Sequence, residues 1–217
     1  MTSVLASPAA SSPWTVLLIG GSSGTGKTTL ARAIARAAGA AWIEADDFRL
    51  VLQRLTTPAR QPELHAFLSG DVWSRPPEEL RDRFIAVGEI VSNALEIVVA
   101  NHVATDAPLV LEGDGIVPAM ASLRTFAGLE VGDLVRAVVL IQPDEAVILR
   151  AMLDRGRGIG RLTEPEQRAQ ARGSWLYGQW LRTQAERHGL PVVEARPWAT
   201  LADRVRDIVD EPRTTCK

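Results

Sequence analysis

One stretch constrains this chain more than any other: Gly21-Ser22-Ser23-Gly24-Thr25-Gly26-Lys27-Thr28, which satisfies G-x-x-x-x-G-K-S/T. It is a Walker A pattern, and its context suits it. The mostly apolar run Trp14 to Ile19 predicts a buried strand before it, and Lys27 to Ala38 predicts a helix after it, ended by Gly39. Glycines let successive backbone N–H groups face a phosphate, and the following helix N-terminus adds partial positive charge. Gly21, Ser22, Ser23, Gly24, Thr25, Gly26, Lys27, Thr28 and Thr29 are therefore the expected nucleotide-phosphate contacts. Lys27 supplies a point charge for the β and γ oxygens, and Thr28 a hydroxyl for Mg2+, a hard cation that prefers oxygen ligands. ATP with magnesium is the expected cofactor pair.

The rest of the chain alternates strands with helices. Short apolar runs at Ala41 to Ala45, Leu109 to Leu111, Leu134 to Ile141 and Pro191 to Ala195 predict four further strands. Helical spacing marks Phe48 to Leu55, Glu78 to about His102, Glu145 to Leu153, Glu164 to His188 and Leu201 to Val209. Such alternation implies crossover connections, a parallel sheet and helices on both faces. Ligands of such sheets lie beyond the strands' carboxyl ends. The glycine loop, Asp46, Glu112 and Asp144 all fall on that edge.

Length and composition narrow the class. The 217 residues fit one domain, expected over residues 14–217 behind a loose tail at 1–13. Hydrophobic residues at 46% and charged residues at 23% are ordinary for a globular protein. A net charge of -2 provides no overall field for nucleic acid or an anionic membrane, so anions must be caught locally. The single cysteine, Cys216, excludes an internal disulfide and a zinc set, which suits a reducing cytoplasm. No basic and apolar leader opens the chain, and no later apolar run is read as approaching a membrane span. A small-molecule substrate is expected, with no nucleic-acid or membrane partner and with a monomer or homodimer as the assembly.

The loop alone does not say what receives the phosphate, because the same cradle serves kinases, motors and switches. A kinase needs an acid near the acceptor, an acid on the metal side, and cations around the transferring group. Asp46 and Asp47 follow the second strand; Asp46 is the favoured base and Asp47 the alternative, and either could instead cap the helix that follows. Glu112 closes the run Leu109-Val110-Leu111-Glu112, as in a Walker B element, and either it or Asp114 faces magnesium. Asp114 is also a candidate substrate contact beside Gly113 and Gly115. Arg150, Arg155, Arg157 and Arg161 are dense around Gly156, Gly158 and Gly160, a pattern read as a lid near residues 154–163, with Arg155 the first choice of catalytic cation.

With these residues assembled, the chain resembles the P-loop small-molecule kinases, the group of shikimate, gluconate and uridine kinases. Within it the chain looks most like 2-phosphoglycerate kinase-type proteins. The likeness rests on Ile19 to Thr29, on Asp46-Asp47-Phe48-Arg49, on Leu111-Glu112-Gly113 with Pro118 beyond, and on Glu186 to Pro191. It implies a P-loop NTPase three-layer α/β sandwich with a five-stranded parallel sheet in the order 2-3-1-4-5. It further implies that Asp46 sits by the acceptor hydroxyl, that Arg49 could hold an acidic group of the substrate, and that Arg196-Pro197-Trp198 borders adenine. Trp198 equally suits a packing role beside the last strand. The sequence departs from the 2-phosphoglycerate kinase pattern at Asp114-Gly115 and from Gln53 to Arg75, which leaves the acceptor open. Other readings are an antibiotic-modifying phosphotransferase of the chloramphenicol type, a regulatory or remodelling ATPase, and a nucleotide-binding module without catalysis.

Overall fold

The computed structural model describes residues 12–211; most of the expected tail, and Cys216, lie outside the described residues. Five strands form one parallel sheet: β1 (Val16–Gly21), β2 (Ala41–Glu44), β3 (Leu109–Gly113), β4 (Val135–Ile141) and β5 (Val192–Glu194). Their order across the sheet is β2-β3-β1-β4-β5, the order 2-3-1-4-5 implied by the resemblance to the P-loop kinases.

Period-two alternation explains how one sheet feeds two cores. On β1, Val16 and Leu18 enter one apolar cluster while Leu17 and Ile19 enter the other. The second cluster is closed by α1 (Lys27–Ala38) and α8 (Leu201–Asp210), through Leu30, Ile34, Leu201 and Val205. The first is closed mainly by α4 (Pro77–Ala104) and α7 (Glu164–Arg187), through Leu95, Val99, Tyr177 and Leu181. The result is three layers, helix on sheet on helix.

The remaining helices are α2 (Ala45–Leu55), α3 (Pro62–His65), α5 (Pro118–Ala121) and α6 (Glu145–Arg155). Neither α3 nor α5 was expected, and each is a single turn. A small antiparallel hairpin, Thr125–Phe126 with Leu129–Glu130, was also not foreseen; it turns through Ala127 and Gly128 at positive φ and buries Phe126.

Two boundaries bear on the site. The second strand stops at Glu44 and α2 starts at Ala45, three residues earlier than the sequence suggested, so Asp46 and Asp47 lie in a first helical turn. The third strand runs on to Gly113, which places Glu112 within the ladder instead of in the loop beyond it. A Cβ on Gly113 would approach the Ala45 Cβ to 2.6 Å. Glycine there lets the start of α2 press against the end of β3.

One sequence expectation needs correcting. The helix α4 is long and apolar enough, by length and composition, to cross a membrane, with a mean hydropathy of 1.5 over its most apolar window. Its apolarity has a structural use here, because Leu80, Val87, Val91, Leu95 and Val99 are all buried in the domain.

The arginine-rich stretch after α6 is tied down. Ile159, in a short 3-10 turn (Ile159–Arg161), is buried against Ile148, Met152 and Ala171 of α6 and α7. A capping box then starts α7, with the Thr163 N–H donating to Glu166 Oε2 at 2.9 Å.

Candidate functional site

Strand register sets the level of the site. Ile19 lies beside Glu112 across β1 and β3, and Glu112 lies beside Glu44 across β3 and β2. The glycine loop that follows β1 therefore opens at the same height as two carboxylates, at the sheet's carboxyl edge. In the loop Gly24 and Gly26 have φ of 84° and 79°, values that L side chains rarely adopt. Gly26 leads directly into α1, so the loop's amides are gathered at a helix N-terminus.

The side chains of the loop are already ordered. Lys27 is buried, and its Nζ donates to the Ser22 carbonyl at 2.9 Å and to Asp114 Oδ1 at 2.6 Å. Ser23 Oγ donates to Asp114 Oδ2 at 2.8 Å, and Thr25 Oγ1 to the Ser22 carbonyl at 2.8 Å. Thr28 Oγ1 donates to Glu112 Oε1 at 2.7 Å. Ser23, Lys27, Thr28, Glu112 and Asp114, with Glu44, Asp46, Arg155 and Arg157, line a small polar cavity.

The cavity suits a magnesium-bound phosphate chain on the chemistry of its donors. Thr28 and Glu112 present hydroxyl and carboxylate oxygens side by side, the kind of oxygen ligand magnesium accepts while keeping its waters. Lys27 is held by an acid and a carbonyl, and a phosphate oxygen could take the acid's place. No group of three or more His, Cys, Asp or Glu gathers for a metal among the described residues, and a magnesium held by one or two side chains needs none.

The two neighbouring acids titrate in opposite senses. Burial pushes the Glu112 carboxyl above the ordinary glutamate value, with Lys27 and the Thr28 hydroxyl only partly offsetting it. Burial also pushes up on Asp114, but there the Lys27 charge and the hydrogen bonds from Lys27 and Ser23 prevail, and the carboxyl lies below its ordinary value. Asp114 is thus the better counterion for Lys27, and Glu112 the acid held in reserve beside Thr28. Behind Asp114, the buried Tyr177 hydroxyl donates to its carbonyl at 2.6 Å.

A second, larger cleft of about 730 Å3, partly open to solvent, adjoins the first. Asp46, Ser23 and Asp114 border both. The cleft is walled by Phe67, Trp73 and Phe84, and Arg49 lies on its rim with its Nε 3.3 Å from Asp46 Oδ1.

The expected site residues fall into three groups. Lys27, Thr28, Glu112, Asp114, Asp46 and Arg155 come together around the polar cavity, as does Ser23 of the loop, whereas the Ser22 side chain is buried outside its lining. Arg155 is the last residue of α6, not a member of the loop beyond it. Asp47 is exposed and lines neither cavity, and Thr29 and Arg150 are exposed as well. Asp144 caps α6, accepting from the Ala146 N–H at 2.8 Å. Trp198 lies over the loop: a Cβ on Gly26 would collide with its ring, yet 41% of the residue is exposed. It is therefore neither a core residue nor detached from the nucleotide loop. Arg196 is 6.0 Å from that ring's centroid.

Sequence reading missed Glu44, which lines the polar cavity and pairs with Arg157 at 3.7 Å. Its signal was available, as the last strand residue before Asp46. Phe67, Trp73, Phe84 and Gln170 were missed too. They come from three separate segments, and nothing local in the sequence joins them.

Residues 17–90 match the family described as ATPase family associated with various cellular activities (AAA). No curated protein matches the chain. Among solved structures, a shikimate kinase from Acinetobacter baumannii in complex with shikimate is similar at 17% identity, covering 90% of this chain and 93% of that one with a TM-score of 0.47. A gluconokinase from Sinorhizobium meliloti 1021 is 19% identical, with 92% and 93% covered and a TM-score of 0.45. A deoxyadenosine kinase from M.mycoides with bound dATP is 11% identical, with 91% and 100% covered and a TM-score of 0.48. At these identities a shared substrate does not follow.

Proposed function

We propose that this chain, which has the P-loop NTPase fold, is an ATP-dependent phosphotransferase that moves the γ-phosphoryl group to a hydroxyl of a small molecule. The supporting observation is the position of Asp46. It borders the polar cavity that holds Lys27, Thr28 and Glu112, and it also borders the larger cleft that could receive an acceptor.

In this reading the loop amides and Lys27 hold the phosphate chain, and Thr28 and Glu112 hold magnesium, whose charge offsets that of the phosphates. Asp46 orients the acceptor hydroxyl and takes its proton as the oxygen attacks phosphorus. Its exposed carboxylate is paired only loosely, with Arg49 at 3.3 Å, so it has room to turn toward an acceptor. Arg155 and Arg157, which line the same cavity, provide positive charge to the transferring group.

Acceptor-dependent ATP consumption, screened over sugars, sugar acids, phosphorylated hydroxy acids, nucleosides and aryl alcohols with product identified by mass spectrometry, tests the reading. Transfer to one acceptor class, abolished in Lys27→Ala, is the expected result. Hydrolysis that needs no acceptor and is stimulated by a protein would replace it with a remodelling ATPase, the reading in line with the match of residues 17–90. The chain's expected cytoplasmic setting and its assembly as a monomer or homodimer stand as part of the same proposal.

A further inference from the structure

The larger cleft has a chemical character that the polar cavity lacks. Phe67 and Phe84 stack at 4.9 Å between centroids, Phe67 and Trp73 at 5.5 Å, and Trp73 stands 6.5 Å from Phe84. All three are only partly buried and all three line the cleft. Val87 and Val91 of α4 extend the apolar wall inward.

The charges are arranged differently from what an acidic acceptor would need. Asp46 and Asp114 both face the cleft, and Arg49 is the single basic side chain among the described residues that line it. Arg49 is already beside Asp46, and Asp114 is beside Lys27. An anion entering here would meet two carboxylates against one guanidinium, with no second cation among the described lining residues to replace its water. A neutral molecule meets no such penalty. Its ring would lie against the aromatic wall, where offset and edge-to-face contacts favour planar apolar groups. Gln170 of α7 also lines the cleft and adds no charge to it.

We infer that the acceptor is an uncharged alcohol bearing a planar apolar ring, seated with the ring against Phe67, Trp73 and Phe84 and the hydroxyl at Asp46. This rests on the phosphotransferase reading and names its acceptor class, in place of the acidic metabolite that Arg49 suggested from sequence. Transfer then forms an O–P bond at the acceptor hydroxyl as the bond from the γ-phosphorus to the bridging oxygen breaks. ADP leaves, and the hydroxyl proton goes to Asp46.

Nucleosides and aryl-substituted alcohols share this chemistry, and the test separates them. Initial rates with Mg-ATP are compared for thymidine, deoxyadenosine, chloramphenicol, gluconate and 2-phosphoglycerate, while calorimetry measures binding of each acceptor without turnover. A ring-bearing neutral probe should exceed both acids by at least about tenfold in kcat/KM. Trp73→Ala should raise KM for it about fivefold or more with kcat nearly unchanged, and Trp73→Phe should restore most of the affinity. Better turnover of gluconate or 2-phosphoglycerate, or a KM indifferent to Trp73→Ala in a variant that melts like the parent, overturns the acceptor class and leaves the phosphotransferase intact. Calorimetric binding of a ring-bearing probe, weakened by Trp73→Ala but without transfer, supports the pocket and rejects the phosphotransferase. No binding of any ring-bearing probe rejects the inference.

Discussion

The polar cavity and the aromatic cleft share Ser23, Asp46 and Asp114, yet they are built in different ways. The cavity joins the glycine loop to the acids at and just beyond the ends of β2 and β3 and to two arginines at and just past the end of α6, and several of its side chains are hydrogen-bonded to one another. The cleft is made by side chains from α2, the connection after α3, α4 and α7, and its rings touch mainly each other. Phosphate chemistry is common to all nucleotides and can be met by backbone and a fixed lysine. Acceptor chemistry varies, and it is met by side chains on segments that can change without disturbing the loop.

Asp46 is where the comparison is most exposed to test. Asp46→Asn should lower kcat by about 10²–10⁴ while leaving nucleotide affinity within a few-fold, because the proposed mechanism assigns the residue to transfer and not to phosphate binding. Equal turnover in the variant would remove Asp46 as the base.

Gly26→Ala probes the cavity alone. The φ of 79° and the collision with Trp198 both oppose a side chain there, and the backbone strain by itself costs about 1–2 kcal/mol. Nucleotide affinity should fall by about tenfold or more, with acceptor binding in calorimetry unchanged. A parallel loss of acceptor binding would mean that the two regions are not separable.

The acids inside the cavity should respond to pH with opposite sign. Glu112 titrates above its ordinary value, so its contribution to stability is present at low pH and lost as pH rises through its folded value. Glu112→Gln should therefore raise Tm at pH 8, with the gain closing toward pH 4, while weakening magnesium-dependent nucleotide binding. Asp114 titrates below its ordinary value, so its contribution is present at neutral pH and lost on acidification. Asp114→Asn should lower Tm at pH 7, with the deficit shrinking as pH falls. The same sign for both variants would refute the assignment of Asp114 as the counterion of Lys27.

The smallest effect belongs to the wall between the two regions. Tyr177→Phe deletes one buried hydrogen bond to the Asp114 carbonyl, worth about 1 kcal/mol, and should lower Tm by about 2–4 °C with the ATP KM preserved. A large rise in that KM would show that Tyr177 sets the height of Asp114.

The alternation of apolar runs on either side of the glycine loop made the parallel sheet legible, and its strand order came from the resemblance to the P-loop kinases. Helix starts were less legible. The first turn of α2 begins at Ala45 because Gly113 lets the two elements touch, a contact made over a separation of 68 positions that no local pattern reports. For the same reason α3, α5 and the hairpin escaped notice: each is too short for a periodic signal.

Sequence by itself pointed to the proposed phosphate half of the site. Its candidates lie in one contiguous loop and at strand ends, so spacing along the chain reports spacing in space. Tertiary structure alone brought together the proposed acceptor half. Phe67, Trp73, Phe84 and Gln170 line one cleft only once α4, α7 and the segment between α3 and α4 pack together. It also decided which acid attends Lys27, because that depends on burial and on the distance between Asp114 and the ammonium, quantities set by packing and not by order along the chain.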